Sequence, residues 1–94
     1  MSTRQTRIIQ SSLTSKGFIT ENTHHVSLTL QVDGQDSGIH TYYSHGAKEC
    51  GDFLLGQMAK QLHLSKQEFC ELVDCTMDGE TLKQTLRQRG FLRT

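Results

Sequence analysis

Residues 21–46 read ENTHHVSLTLQVDGQDSGIHTYYSHG, and this stretch decides the fold. His24, Val26, Leu28, Leu30 and Val32 alternate with His25, Ser27, Thr29 and Gln31. A period of two places the sets on opposite faces, the mark of a half-buried antiparallel strand with one polar side. Asp33-Gly34 is a hairpin turn signal. Beyond it, Ile39, Thr41 and Tyr43 take one face of the next strand, and His40 and Tyr42 the other. Four of the five histidines stand in or beside this hairpin.

Upstream, residues 3–15 carry Ile8, Ile9 and Leu13, with Ile9 and Leu13 one helical turn apart. Lys16-Gly17 supplies a terminal cation and a C′ glycine that stop this helix, and Phe18 and Ile19 open a short first strand. Downstream the period changes. Asp52 can cap a helix whose core set is Leu54, Leu55, Met58, Ala59 and Leu62. Ser65-Lys66-Gln67-Glu68 is a capping box opening a helix with Phe69, Leu72 and Val73 inside. Asp78 can cap a last helix, with Leu82 and Leu86 inside and Gly90 at its end. The order is α-β-β-β-α-α-α, an α+β domain whose helices cover one face of the sheet and leave the polar face to water.

Ninety-four residues make one small domain, with 34% apolar residues and a mean hydropathy of −0.51. No apolar run approaches a membrane span, and MSTRQTRIIQ lacks a signal-peptide hydrophobic region. Cys50, Cys70 and Cys75 are odd in number and form no CxxC pair, which argues against a disulfide framework. Together these features point to a soluble cytoplasmic protein, with Cys70 and Cys75 as core residues. Net charge is zero, but unevenly laid out. Arg4, Arg7 and Lys16 precede the first carboxylate, Glu21, and Lys83, Arg87, Arg89 and Arg93 follow the last, Glu80. If the two ends meet in space they form a basic patch able to steer a polyanion; otherwise they are solvated helix faces.

The histidines admit few chemistries. His24 and His25 are neighbours in a strand pattern and point to opposite faces, so they cannot share an ion. His40 could join His25 on the open face, but no third ligand is evident, and neither HExxH nor paired cysteines occur. No metal and no cofactor are expected. RNA cleavage asks for less, because the 2′-hydroxyl is a built-in nucleophile. One imidazole, with cations and backbone donors to stabilise the phosphorane, is sufficient.

The local phrases resemble a known family. KGFITENTHHVSLTL is similar to the helix-to-strand corner and Ser-His-His segment of HicA-type toxins, the mRNA-cleaving half of HicAB toxin–antitoxin systems. TYYSHGAKECGDFLLGQMAKQLHLSKQEFCELV resembles the family's later histidine phrase and the helices after it. The resemblance covers roughly residues 6–73. It implies a double-stranded-RNA-binding-domain-like α-β-β-β-α fold over that core, with residues 74–94 as a C-terminal helical extension of one domain spanning 1–94. It also implies metal-independent endoribonuclease activity on mRNA and neutralisation by a HicB-like antitoxin. His24 then inherits the catalytic role, and Lys16 stands where it could meet a phosphate. Two departures bear on this. Asn22 replaces the motif glycine, and Glu21 stands where the family often carries a basic residue.

Each candidate also has a plainer meaning. By alternation His24 belongs to the helix-covered face, where a hydrogen-bonded histidine is the common outcome. His25 lies on the open face and suits a phosphate or ribose contact. Tyr42 could stack a base, or pair across strands. His45, at a strand-to-helix corner, is a secondary acid–base candidate or a turn stabiliser. Arg4, Arg7, Arg87 and Arg89 are the expected RNA-steering cations. The alternative reading is a non-catalytic RNA- or protein-binding module, an accessory or an inhibitor, on the same fold.

Overall fold

The computed structural model describes residues 3–92; Arg93, one of the basic residues noted above, lies outside them. The described chain runs β1 (Arg4–Gln5), α1 (Thr6–Thr14), β2 (Phe18–Asn22), β3 (Val26–Val32), β4 (Gln35–Tyr43), β5 (Glu49–Cys50), α2 (Asp52–Gln61), α3 (Lys66–Val73) and α4 (Gly79–Gln88). Strands β2, β3 and β4 form an antiparallel sheet in that order, while β1 and β5 pair separately as a two-residue clasp. The chain is therefore a small α+β fold with a three-stranded antiparallel sheet and four helices.

The hairpin turn is as its sequence dictates: Asp33 and Gly34 both take positive φ, 55° and 78°, the primed-turn geometry that matches strand twist. From that turn the register pairs Val26 with Tyr43 and Leu28 with Thr41. On the other side Phe18 faces Leu30 and Thr20 faces Leu28. Phe18, Leu28, Leu30, Ile39 and Thr41 are buried beneath the helices, whereas Ile19, His40 and Tyr42 face outward on the opposite side. Between Thr29 and Gln31 the register shifts. The β4 segment opposite Leu30 bulges, with Gly38 at φ 81° and the Ser37 hydroxyl donating to the Leu30 carbonyl at 2.7 Å.

Strand β3 begins two residues later than the alternation predicts. Asn22 and Val26 are the last pair of β2 and β3, so Thr23, His24 and His25 form the connecting loop. Nothing apolar at His24 or His25 anchors them to the sheet, and both are exposed. The face assigned to His24 by alternation is thus corrected.

The helices follow their caps. Ser65 and Glu68 exchange both bonds of the capping box, and the Asp78 carboxylate accepts from the Thr81 amide at 2.8 Å. Helix α2 departs from expectation: its N-cap is Gly51, and Asp52 is the first helical residue, paired with Lys66 at 3.0 Å. An acid there still suits the helix dipole. At the end of α1 the cap is Ser15, and Gly17 takes φ 101° two residues on.

Helices α2, α3 and α4 end alike. His63, Cys75 and Gly90 each adopt a left-handed conformation after the cap. The next amide in each case reaches back to the carbonyl of Ala59, Glu71 and Leu86 respectively, closing a Schellman motif. This explains a second correction. The left-handed turn carries Cys75 to the surface rather than into the core, while Cys70 is buried as expected. Leu54, expected inside, is 42% exposed, because Leu55, Met58 and Ala59 already fill the inward stripe of α2.

One core joins all layers: Ile9 and Leu13 of α1, Leu28 and Leu30 of β3, Phe69 and Leu72 of α3, and Leu82 and Leu86 of α4. Gly79 lets α4 start close to the α1–β2 corner; a Cβ there would lie 3.2 Å from the Lys16 carbonyl oxygen. No helix among the described residues is long and apolar enough to cross a membrane.

Candidate functional site

The β2–β3 loop and the turn after β4 meet at one end of the sheet. The loop is short, with the Thr23 amide donating to the His25 carbonyl at 3.1 Å. The His45 ring approaches the Thr23 carbonyl at 2.7 Å through Nε2, which must therefore be the donor. His45 reaches across 22 residues to hold the loop that carries His24. On the outer face, the His25 ring stacks on Tyr42 with centroids 5.1 Å apart and planes inclined by 30°. Three histidines and a tyrosine thus share one exposed corner.

The turn bearing His45 is itself fixed. Its Ala47 amide donates to the Ser44 carbonyl, and the Thr6 hydroxyl donates to the Ala47 carbonyl at 2.9 Å. The Thr6 amide donates to the Lys48 carbonyl, also at 2.9 Å. Thr6, buried at the start of α1, accordingly locks the corner to the clasp of β1 and β5. Beside it a shallow cleft is lined by Gln5, Thr6, Arg7, Ala47, Lys48 and Glu49, two cations and one carboxylate. Arg7 also donates to the Gln5 side chain at 2.9 Å. Lys48 is a cation of this corner that the sequence reading missed; its place three residues after His45 was the available signal.

The other expected cations lie elsewhere. Lys16 stands before β2 and His24 after it, so the whole strand, about 16 Å at 3.3 Å per residue, separates them. The Lys16 ammonium donates to the Leu72 carbonyl at 2.9 Å and contacts the Cys75 sulfur at 3.2 Å, capping the C-terminus of α3. Ser12 and Lys16 together hold the Cys75 thiol below its ordinary pKa. Arg4 grips both Asp74 oxygens at 2.7 Å, at the end of α3. Arg89 binds Glu68 and the His63 carbonyl at the start of α3. Arg4 and Arg89 are therefore pinned by carboxylates at opposite ends of α3. Arg87 lies on α4.

His40 stands in the Ile19–Thr29–His40 row across the open face, separate from the corner. Among the described residues no three histidine, cysteine or acidic side chains stand together as a metal site. The arrangement offers two imidazoles on facing segments, a stacking platform beside them, and a cationic cleft next to the His45 turn. Comparisons of the chain with protein-family models, with curated proteins and with solved structures find no match in any of the three.

Proposed function

We propose that the chain is a HicA-like endoribonuclease that cuts mRNA by histidine acid–base chemistry without a metal or cofactor. The observation that carries this reading is the His45–Thr23 contact, which brings a second imidazole to the loop of His24. In this mechanism His24 takes the proton of the 2′-hydroxyl as it attacks the adjacent phosphorus. His45, as an imidazolium whose Nε2–H is held by the Thr23 carbonyl, gives its Nδ1 proton to the leaving 5′-oxygen, while His24 ends protonated. Arg7 and Lys48 stabilise the phosphorane charge in place of Lys16, and Tyr42 with His25 supports a base. On this reading α1, the three-stranded sheet and the following helix form a double-stranded-RNA-binding-domain-like core. A HicB-like antitoxin would silence the enzyme by covering the His24 corner.

A second reading, a non-catalytic binding module on the same fold, is favoured by a different observation. Arg4, Lys16 and Arg89 are all engaged in the helical layer, which leaves few cations facing the histidines. The test is incubation of the purified protein with single-stranded RNA in EDTA beside folded His24→Ala. Cleavage by the first and none by the second is the expected result. RNA binding without cleavage would replace the enzyme with the binding module.

A further inference from the structure

Ala47 borders two cavities of opposite character. On one side is the cleft in which Arg7 and Lys48 outnumber the single carboxylate of Glu49. On the other is a pocket of about 110 Å³ between β4 and α2, walled by Tyr43, Ser44, Leu54, Gln57, Met58 and Gln61. No charged side chain lines this second pocket. Burial pushes the thiol of Cys50, at its edge, above the ordinary value, and it does the same to the Tyr43 phenol, so both stay neutral at physiological pH.

The chemistry of the pocket selects its occupant. A neutral, partly apolar site rejects phosphate and ionic side chains, because it offers them no counter-charge. Its size excludes a fused two-ring base: at about 110 Å³ it is smaller than the roughly 150 Å³ cavity that encloses benzene, so a single ring enters it in part, through its open mouth. Its rim carries polar groups suited to a heterocycle. Gln61 accepts from Thr41 through Oε1 at 2.6 Å, which turns its amide nitrogen away from that bond as a donor. Gln57 is exposed at the mouth and presents both a donor and an acceptor. Ser44 lies next to His45 in sequence, so the pocket opens beside the proposed proton-transfer group.

We propose that this pocket binds a pyrimidine base of the RNA next to the scissile bond, with the attached phosphate across Ala47 in the cleft of Arg7 and Lys48. The inference rests on the endoribonuclease reading and deepens it, giving the enzyme a one-ring preference at one position. No covalent step is involved; the pocket reads the base, and His24 and His45 act on the backbone.

The test is a methyl and amide NMR titration of the full chain with the four nucleoside 3′-monophosphates, with inorganic phosphate as control. Cytidine and uridine monophosphates should shift the Ala47, Leu54 and Met58 methyls and the Lys48 amide, whereas phosphate alone should shift only Lys48. Gln57→Leu, at an exposed site, should weaken the pyrimidine nucleotides about tenfold, the size of one lost neutral hydrogen bond. Lys48→Ala should weaken all the nucleotides alike. Equal response to purines, or no methyl response to any nucleotide, would overturn the assignment. So would a methyl response to phenylalaninamide alone, which would make the pocket a protein contact. Pyrimidine binding by a protein that leaves RNA intact would uphold the pocket and remove the nuclease. Cleavage without methyl shifts would keep the nuclease and overturn the pocket.

Discussion

The helical layer and the histidine corner are built on opposite terms. Around α3 and α4 each named polar group serves the fold: Glu68 holds both Ser65 and Arg89, Arg4 holds Asp74, and Lys16 caps α3. At the histidine corner, His24 is exposed in a three-residue loop, and His45 has one bond to a carbonyl. The difference teaches where charge counts. Ten cations in a neutral chain look like a polyanion surface in sequence, yet the structure uses several of them as clamps between helices.

Substitutions on either side should separate activity from stability. The largest effect expected is on chemistry. His45→Ala should lower RNA cleavage about 10²- to 10⁴-fold, the usual worth of a general acid, with little change in melting temperature. An unchanged rate in a folded variant would leave His45 as a turn stabiliser and blur the contrast. Next comes Leu82→Ala in the helical layer. Leu82 is fully buried, so truncation should cost about 2–5 kcal/mol in urea unfolding while any RNA contact at the corner persists below the midpoint. A loss under about 0.5 kcal/mol, the range of an ordinary surface substitution, would mean that α4 is not part of the core.

Ser65→Ala removes one half of the capping box and should cost about 1 kcal/mol by the same measurement. The smallest effect is on pH dependence. Arg89, and then the Ser65 amide, hold the Glu68 carboxyl below its ordinary value. A carboxyl depressed in the folded state stabilises it fully above the unfolded pKa and ceases to do so as pH falls through the folded one. Arg89→Gln should therefore lower stability slightly at neutrality and flatten the acid limb below about pH 4.5, the ordinary value, so that the two proteins converge at low pH. An acid limb unaltered in that variant would assign the loss to other carboxylates.

What could be read from sequence was local. Asp33-Gly34, the Ser65–Glu68 box, the Asp78 cap and the Gly90 stop each act over a few residues, and each stands where its pattern puts it. The face alternation of β3 and β4 was legible because burial enforces it at Leu28, Leu30, Ile39 and Thr41. It failed at His24, where no burial fixes the pleat. The bulge opposite Leu30 was invisible because it depends on where two strands meet, and neither strand marks that alone. Lys16 on Leu72 and His45 on Thr23 are contacts across 56 and 22 residues, and nothing in a spacing rule pairs them. Cys75 was misplaced because the left-handed turn that exposes it is usually signalled by glycine.

The clasp of β1 and β5 also sets an order on synthesis. Ribosomes release Thr6 long before Lys48, the residue its amide needs, which lies 42 positions later. Arg4 waits longer still, since Asp74 is 70 residues downstream. Ile9 and Leu13 likewise gain their full shelter only after α3 and α4 have been made. The hairpin of β3 and β4, closed by its own two-residue turn, has no such wait. Helix α1, made before the other described helices, is therefore among the last to be secured, and its apolar stripe is one that nascent-chain chaperones would meet.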